Sequence, residues 1–274
     1  MALTLGSGPF GKQSTGTFNF DTSVLKAHTL YFEDSPKRVR AVFNGETVAD
    51  SRSVKLMHET GHLPIYYFPE EDIRGDLLEP TDHTTHCPFK GDATYRSVKV
   101  GDMVAENAVW NYPEPKEHFA PLAGYAAFYA EKMNAWYEED EEIIGHPRDP
   151  YHRVDVLQSS RHAKVSVDGE VVAETDRPKM LFETSLPPRY YIPPEDVRTD
   201  LLTPTDTQTG CPYKGFASYW SVEAGGEIVK DLVWGYPEPI AAVEGIRDHL
   251  CFFDEKVDVE VDGEAQERPQ TPWS

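Results

Sequence analysis

The chain has 274 residues, 12% of them aromatic, and a formal net charge of −21 at pH 7. That length accommodates two ordinary cores, and the negative field opposes binding to nucleic-acid phosphates and anionic membrane surfaces. No apolar run approaches the ~18 residues of a membrane helix, residues 1–18 lack the apolar stretch of a secretory signal, and three cysteines are too few for a disulfide framework, so the expected setting is a reduced cytoplasm.

Residues 1–30 are rich in Gly, Ser and Thr and read as an N-terminal arm without a repeat partner. The rest of the chain is one module written twice. A shift of 124 residues sets Gly45 on Gly169, Cys87 on Cys211 and Trp110 on Trp234, and about half of the positions from Gly45 to Pro115 are identical under it. The first module is assigned to 31–140, a charged, proline-containing linker to 141–153, the second module to 154–261, and a disordered tail to 262–274.

Within each module the pattern is that of strands. Alternation up to Asn44-Gly45, and up to Asp168-Gly169 in the second copy, predicts β-hairpins. Lys179-Met-Leu-Phe-Glu and Arg189-Tyr-Tyr-Ile predict the next two strands, with one helical turn at Pro194-Glu-Asp. Ala217-Ser-Tyr-Trp-Ser-Val and Glu227-Ile-Val-Lys-Asp-Leu-Val-Trp predict two more. Only residues 119–137 suggest a longer helix; the second copy there passes into Lys256-Val-Asp-Val-Glu-Val, which alternates as a strand does. The expectation is a mainly β chain of two tandem antiparallel domains with short helices, joined by a linker with helical content.

Three segments of the second copy carry a family pattern: Tyr190-Tyr-Ile-Pro-Pro-Glu-Asp-Val, Thr209-Gly-Cys-Pro-Tyr-Lys-Gly-Phe-Ala-Ser-Tyr-Trp and Val233-Trp-Gly-Tyr-Pro-Glu-Pro. Together they closely resemble the domain of unknown function 427, over nearly all of both modules. The resemblance implies a fold like the β-tent group, two antiparallel sheets meeting at an angle over a pocket. Other β-tent proteins hold zinc with two Cys-x-x-Cys pairs, and some hold a nucleoside-like or imide ligand in a cage of tryptophans. This chain has no Cys-x-x-Cys, so that zinc is not expected, and no cofactor is assigned. Fold likeness alone does not carry chemistry across.

The chemical candidates lie on the shared frame. In Cys87-Pro-Phe-Lys-Gly and Cys211-Pro-Tyr-Lys-Gly, proline and glycine fix a tight turn. Lys90 and Lys214 on that turn read as a base, an anion clamp, an amine nucleophile or a structural ion-pair partner. Cys87 and Cys211 read as nucleophiles or as small buried hydrophobes. The catalytic candidates are Lys214, Glu183 and Tyr190, with Lys90 and Glu59 in the first copy; a Glu–Lys pair beside tyrosine suits proton transfer. The ligand-binding candidates are Trp220, Trp234, Tyr219, Tyr236, Arg189 and Cys211, with Tyr66, Tyr95 and Trp110, an aromatic wall suited to a planar ligand. Trp220 and Arg189 face Arg96 and Ile65 in the first copy, so the second module is expected to hold the better-formed site.

His58-Glu-Thr-Gly-His62 spells the zinc-protease pattern, but Gly61 and Pro64 oppose the helix that the pattern needs, and on a strand the two histidines lie about 13 Å apart. A looser metal site would draw on His58, His62, His83, His86 and Cys87, all of the first copy. The functional expectation is a small planar organic ligand bound, and transformed if the Lys/Glu/Tyr set is chemical, with no nucleic-acid or membrane partner. The alternatives are a non-catalytic metabolite-binding or interaction module, a metal-dependent hydrolase using the histidines, and a nucleotidyltransferase. The last is opposed by the lack of a phosphate-binding Gly-rich loop and of spaced carboxylates for two Mg²⁺ ions.

Overall fold

The computed structural model describes residues 28–271 together with Thr17, Asn19 and Ser274. Most of the expected N-terminal arm therefore lies outside the described residues. The chain divides into two compact units, with the boundary between Pro147 and Arg148. The first unit contains β1 (Leu30–Asp34), β2 (Val39–Phe43), β3 (Glu46–Ser51), β4 (Lys55–Glu59), β5 (Ile65–Pro69), β6 (Leu78–Cys87), β7 (Gly91–Val100), β8 (Met103–Asn111), β9 (Tyr125–Phe128), β10 (Ala135–Glu138) and β11 (Glu141–Glu142). The second contains β12 (Val154–Gln158), β13 (Ala163–Val167), β14 (Glu170–Thr175), β15 (Lys179–Glu183), β16 (Arg189–Ile192), β17 (Leu202–Cys211), β18 (Gly215–Ala224), β19 (Glu227–Gly235), β20 (Leu250–Phe252), β21 (Asp258–Val261) and β22 (Glu264–Ala265).

Among the described residues each unit has one seven-stranded and one four-stranded antiparallel sheet. The orders are β1-β4-β5-β9-β8-β7-β6 and β11-β10-β2-β3 in the first, and β12-β15-β16-β20-β19-β18-β17 and β22-β21-β13-β14 in the second. Strand for strand these are one topology. The hairpin turns fall where the sequence sets them: Asn44 and Asp168 take φ of 46° and 48°, and the glycines after them 79° and 83°.

The large sheet packs side chains on both faces, apart from its edge strand, β6 or β17, most of whose residues are exposed. Its inner face packs on the small sheet through Val39, Val48, Phe68, Val98, Val109 and Phe128 in the first unit. Its other face carries Met57, Tyr67, Tyr95, Trp110 and Tyr112. The second unit repeats this division, with Val165, Ile192, Val222 and Leu232 inside and Leu181, Tyr191, Trp234 and Tyr236 on the other face. The period of two along each strand decides which side a residue joins.

Three expectations fail. The helix over 119–137 is not formed: the segment holds a 3₁₀ stretch at Glu117–Leu122, β9, a single 3₁₀ turn at Ala130–Lys132, and β10. Pro121 and a positive φ at Gly124 interrupt it, and Tyr-Ala-Ala-Phe buries as a strand wedged between β5 and β8. The linker over 141–153 is not helical and opens with β11, which pairs with β10. The tail over 262–271 is ordered: β22 pairs with β21, and the Thr271 hydroxyl donates to Glu255 Oε1 at 2.5 Å.

The turn between β17 and β18 depends on glycine. Gly215 takes φ +109°, and a Cβ there would meet the Glu238 carbonyl oxygen at 3.0 Å. That close approach lets Ile240 N–H donate to the Lys214 carbonyl at 3.1 Å, which seats the lysine turn on the Tyr236-Pro-Glu-Pro loop. Gly215→Ala is expected to lose about 1–3 kcal/mol, measured by denaturant unfolding; a loss within error of zero would show that the approach is not required.

Candidate functional site

Each module gathers a histidine, a glutamate and a lysine from three separate places in the chain. In the first, Glu59 ends β4, Lys90 sits in the β6–β7 turn and His28 lies just before β1. Lys90 Nζ donates to Glu59 Oε2 at 2.7 Å, and His28 Nε2 meets Glu59 Oε1 at 2.9 Å. In the second, Lys214 Nζ is paired with Glu183 Oε2, and His152 Nε2 meets Glu183 Oε1 at 3.0 Å. Each member lies 31 residues from the next in both copies. Each imidazole also stacks on the aromatic of the lysine turn, His28 on Phe89 at 3.9 Å and His152 on Tyr213 at 4.0 Å between centroids.

Local hydrogen bonds set the histidine. The amide of Thr29 donates to Thr60 Oγ1 at 2.9 Å, and that of Arg153 to Thr184 Oγ1 at 2.9 Å. The residue after each glutamate therefore holds the residue after each histidine, which brings the imidazole beside the carboxylate. His28 and His152 are members of the candidate site that the sequence pattern did not single out. The signal was present: the same 124-residue shift sets His28 on His152, within a segment read as having no repeat partner.

Burial alone would raise both carboxyls. In Glu183 it is outweighed by the hydrogen bond from His152 and by the charge and hydrogen bond of Lys214, and the carboxyl is held below the ordinary glutamate range. Glu59 is held down in the same way, first by Lys90 and then by His28. Each carboxylate is thus held ionised, with a donor on each oxygen.

Next to the triad stands the aromatic wall. Trp110 Nε1 donates to the Tyr67 hydroxyl at 3.3 Å and Trp234 Nε1 to the Tyr191 hydroxyl at 3.1 Å. Burial pushes the phenols of Tyr67 and Tyr191 well up. Tyr95, Tyr219 and Tyr236 join the wall as expected. Cys87 and Cys211 are half-buried and pack against it.

Tyr190 and Trp220 do not join it. Both point to the opposite face of the sheet and pack against the inner core, because their neighbours Tyr191 and Tyr219 take the site face. Tyr66 packs in the inner core, where its hydroxyl donates to Glu138 at 2.9 Å, and it also borders the cavity of the first module. The expected Lys–Glu–Tyr190 constellation and a cage built of both Trp220 and Trp234 are therefore not assembled. Arg96 is likewise committed elsewhere, to Glu70, through two hydrogen bonds of 2.7 and 2.8 Å.

The modules differ in what lies against the wall. The first holds a cavity of about 730 Å³, bordered by His28, Glu59, Lys90, Tyr95, Trp110 and Tyr112, among others. In the second, Arg189 lies 5.5 Å over the Trp234 ring and donates to Glu255 at 2.5 and 3.0 Å, with Asp254 at 3.4 Å. Burial pushes Asp254 up to about 6, against the lowering charge of Arg189. The better-formed open site is thus in the first module, contrary to the expectation from Trp220 and Arg189. The triads differ in the same sense: the His28 side chain is 25% exposed and that of His152 only 2%, and His152 Nδ1 is buried without a hydrogen-bond partner among the described residues.

The histidines of the first copy do not converge. His58 lies on the opposite face of β4 from Glu59 and meets Glu33 at 2.8 Å. His83 packs on Tyr95 at 4.5 Å, and His86 meets Asp92 at 2.5 Å. His62, His86 and Cys87 reach the cavity separately. No group of three or more His, Cys, Asp or Glu side chains suited to a metal is formed among the described residues, so neither the zinc-protease pattern nor the looser metal set is realised.

The family described as a domain of unknown function, DUF427, matches the chain twice, over residues 31–139 and 155–263. The chain therefore belongs to that family and carries two tandem copies of its domain. Both matches begin three residues after the triad histidine. No curated protein matches the chain.

Because Glu183 is held below its ordinary range when folded, the unfolded chain binds its proton first as the pH falls. The stabilisation is complete at neutral pH and declines as the pH drops through the ordinary glutamate range. Glu183→Gln is expected to cost about 3–5 kcal/mol at pH 7, since it leaves the Lys214 charge buried without its partner. It should also flatten the fall of stability between about pH 5 and 3. Denaturant unfolding across that range checks both; an unchanged acid slope would contradict the assignment.

Proposed function

We propose that this tandem DUF427 protein binds a small planar organic ligand in its first module, against the wall of Trp110, Tyr112 and Tyr95. The observation that supports this reading is the cavity of about 730 Å³, which is lined by Tyr95, Trp110 and Tyr112 together with the His28–Glu59–Lys90 triad. That volume lies within the range of small-molecule sites, and such sites combine flat apolar walls with a few fixed polar groups. Ring stacking supplies most of the contact area, and His28 and Lys90 orient the polar edge of the ligand.

Binding is favoured over turnover because both oxygens of Glu59 are engaged, by Lys90 and by His28. The two donors hold the carboxylate in its ionised form and below its ordinary proton affinity, which makes it a weaker general base. The role of the triad in both copies is then to lock the lysine turn and the strand entering the large sheet. The first module adds space beside that lock.

A mixture of nucleosides, nicotinamides and indoles, screened by saturation-transfer NMR on the whole protein, tests the reading. Ligands should be found whose signals are lost in Trp110→Ala and kept in Trp234→Ala. Ligands that survive Trp110→Ala, or are lost equally from both variants, would contradict it.

A further inference from the structure

The second module shows what its frame holds when the space is filled. The Arg189 guanidinium lies on the Trp234 ring, 5.5 Å from its centroid, and is clamped by both oxygens of Glu255. This is a planar cation on an aromatic face with a bidentate carboxylate at its edge, the arrangement that guanidinium chemistry favours. Under the 124-residue shift Trp234 corresponds to Trp110, Glu255 to Glu131 and Phe253 to Tyr129. The ring pair is kept, at 4.5 Å for Trp234 and Phe253 and at 4.6 Å for Trp110 and Tyr129. The arginine is not kept: Ile65 stands in its place. Ile65, Trp110, Tyr129 and Glu131 all border the first-module cavity.

The first module therefore retains the aromatic face and the carboxylate of a guanidinium site and lacks the guanidinium. Glu131 makes no hydrogen bond or ion pair among the described residues, whereas Glu255 accepts two hydrogen bonds from Arg189 and one from Thr271. The charge of Lys90, which also borders the cavity, is matched by Glu59. The net charge of −21 raises the local concentration of cations around the protein.

We propose that the first-module cavity takes a planar organic cation, an amidinium or guanidinium compound, seated on Trp110 with Glu131 as its counter-ion. The second module carries its own copy of that group as Arg189. This proposal rests on the reading of the cavity as a ligand site and names the charge and shape of the ligand.

Calorimetric titration of the whole protein at pH 8, where imidazoles in their ordinary range are neutral, with benzamidine, benzamide and benzoate tests it. Benzamidine should bind at least about tenfold more tightly than the neutral and anionic isosteres. Glu131→Gln should weaken benzamidine about tenfold, and Ile65→Arg, which installs the second module's own cation, should abolish it while the melting temperature is kept. Equal or tighter binding of benzamide or benzoate, still abolished by Ile65→Arg, would overturn the cation and leave the cavity reading standing. Binding unchanged by Ile65→Arg would remove both. Binding of none of the three would overturn the cation, and the heteroaromatic screen judges the cavity separately. A second measurement is independent of the first module: millimolar ethylguanidine should raise the melting temperature of Arg189→Ala and leave that of the unsubstituted chain unchanged. Absence of that rescue would contradict the view of Arg189 as an internal occupant.

Discussion

Each module is assembled around one buried carboxylate with a donor on either oxygen. Glu59 and Glu183 end the fourth strand of their modules, and each ties together three parts of the chain that no local signal would join. Desolvation works against an ionised glutamate at these positions, and the lysine and histidine reverse the balance. The lysine turn, the strand entering the large sheet and the aromatic wall are placed relative to that carboxylate. The wall is in turn fixed by the Trp–Tyr hydrogen bond, which is the same in both modules.

A frame held this firmly tolerates change in what it encloses. The two copies keep topology, turns, triad and ring geometry and differ at position 65 against 189. An isoleucine leaves a cavity; an arginine fills the place and recruits Glu255 and Asp254. The residues after the last hairpin show the same division. Gly145, His146 and Pro147 border the first cavity, and Thr271, the counterpart of Pro147 under the 124-residue shift, donates to Glu255, the partner of Arg189. What the sequence presents as linker and tail is the closing segment of each module.

Much of the fold was legible because its signals are local. Asn44-Gly45 and Asp168-Gly169 announce hairpins, and strands with period-two burial arise from the alternation. The helix over 119–137 misread a stretch of good helix formers, where Pro121 and Gly124 and the need to fill a gap between β5 and β8 decided for strand. The candidate site was half legible. Glu183, Lys214 and Trp234 stood out as residue types, but which of two adjacent tyrosines faces the site is a matter of strand parity, and parity is set by register with the neighbouring strands. Tyr191 rather than the expected Tyr190 faces the site, and of the two expected neighbours Tyr219 and Trp220 only Tyr219 does. His28 and His152 were missed because they stand before the first strand of each module, outside the run of identity that defined the repeat.

If the two modules share one site, it is open in the first and occupied by its own arginine in the second. Exchanging Ile65 and Arg189 in one chain, with ¹⁵N-indole spectra recorded during a benzamidine titration, tests this most directly, because Trp110 and Trp234 report on each module separately. Benzamidine is expected to move the Trp110 resonance in the native chain and the Trp234 resonance in the exchanged chain. Movement of the Trp110 resonance in both chains, or of neither resonance in either, would contradict it.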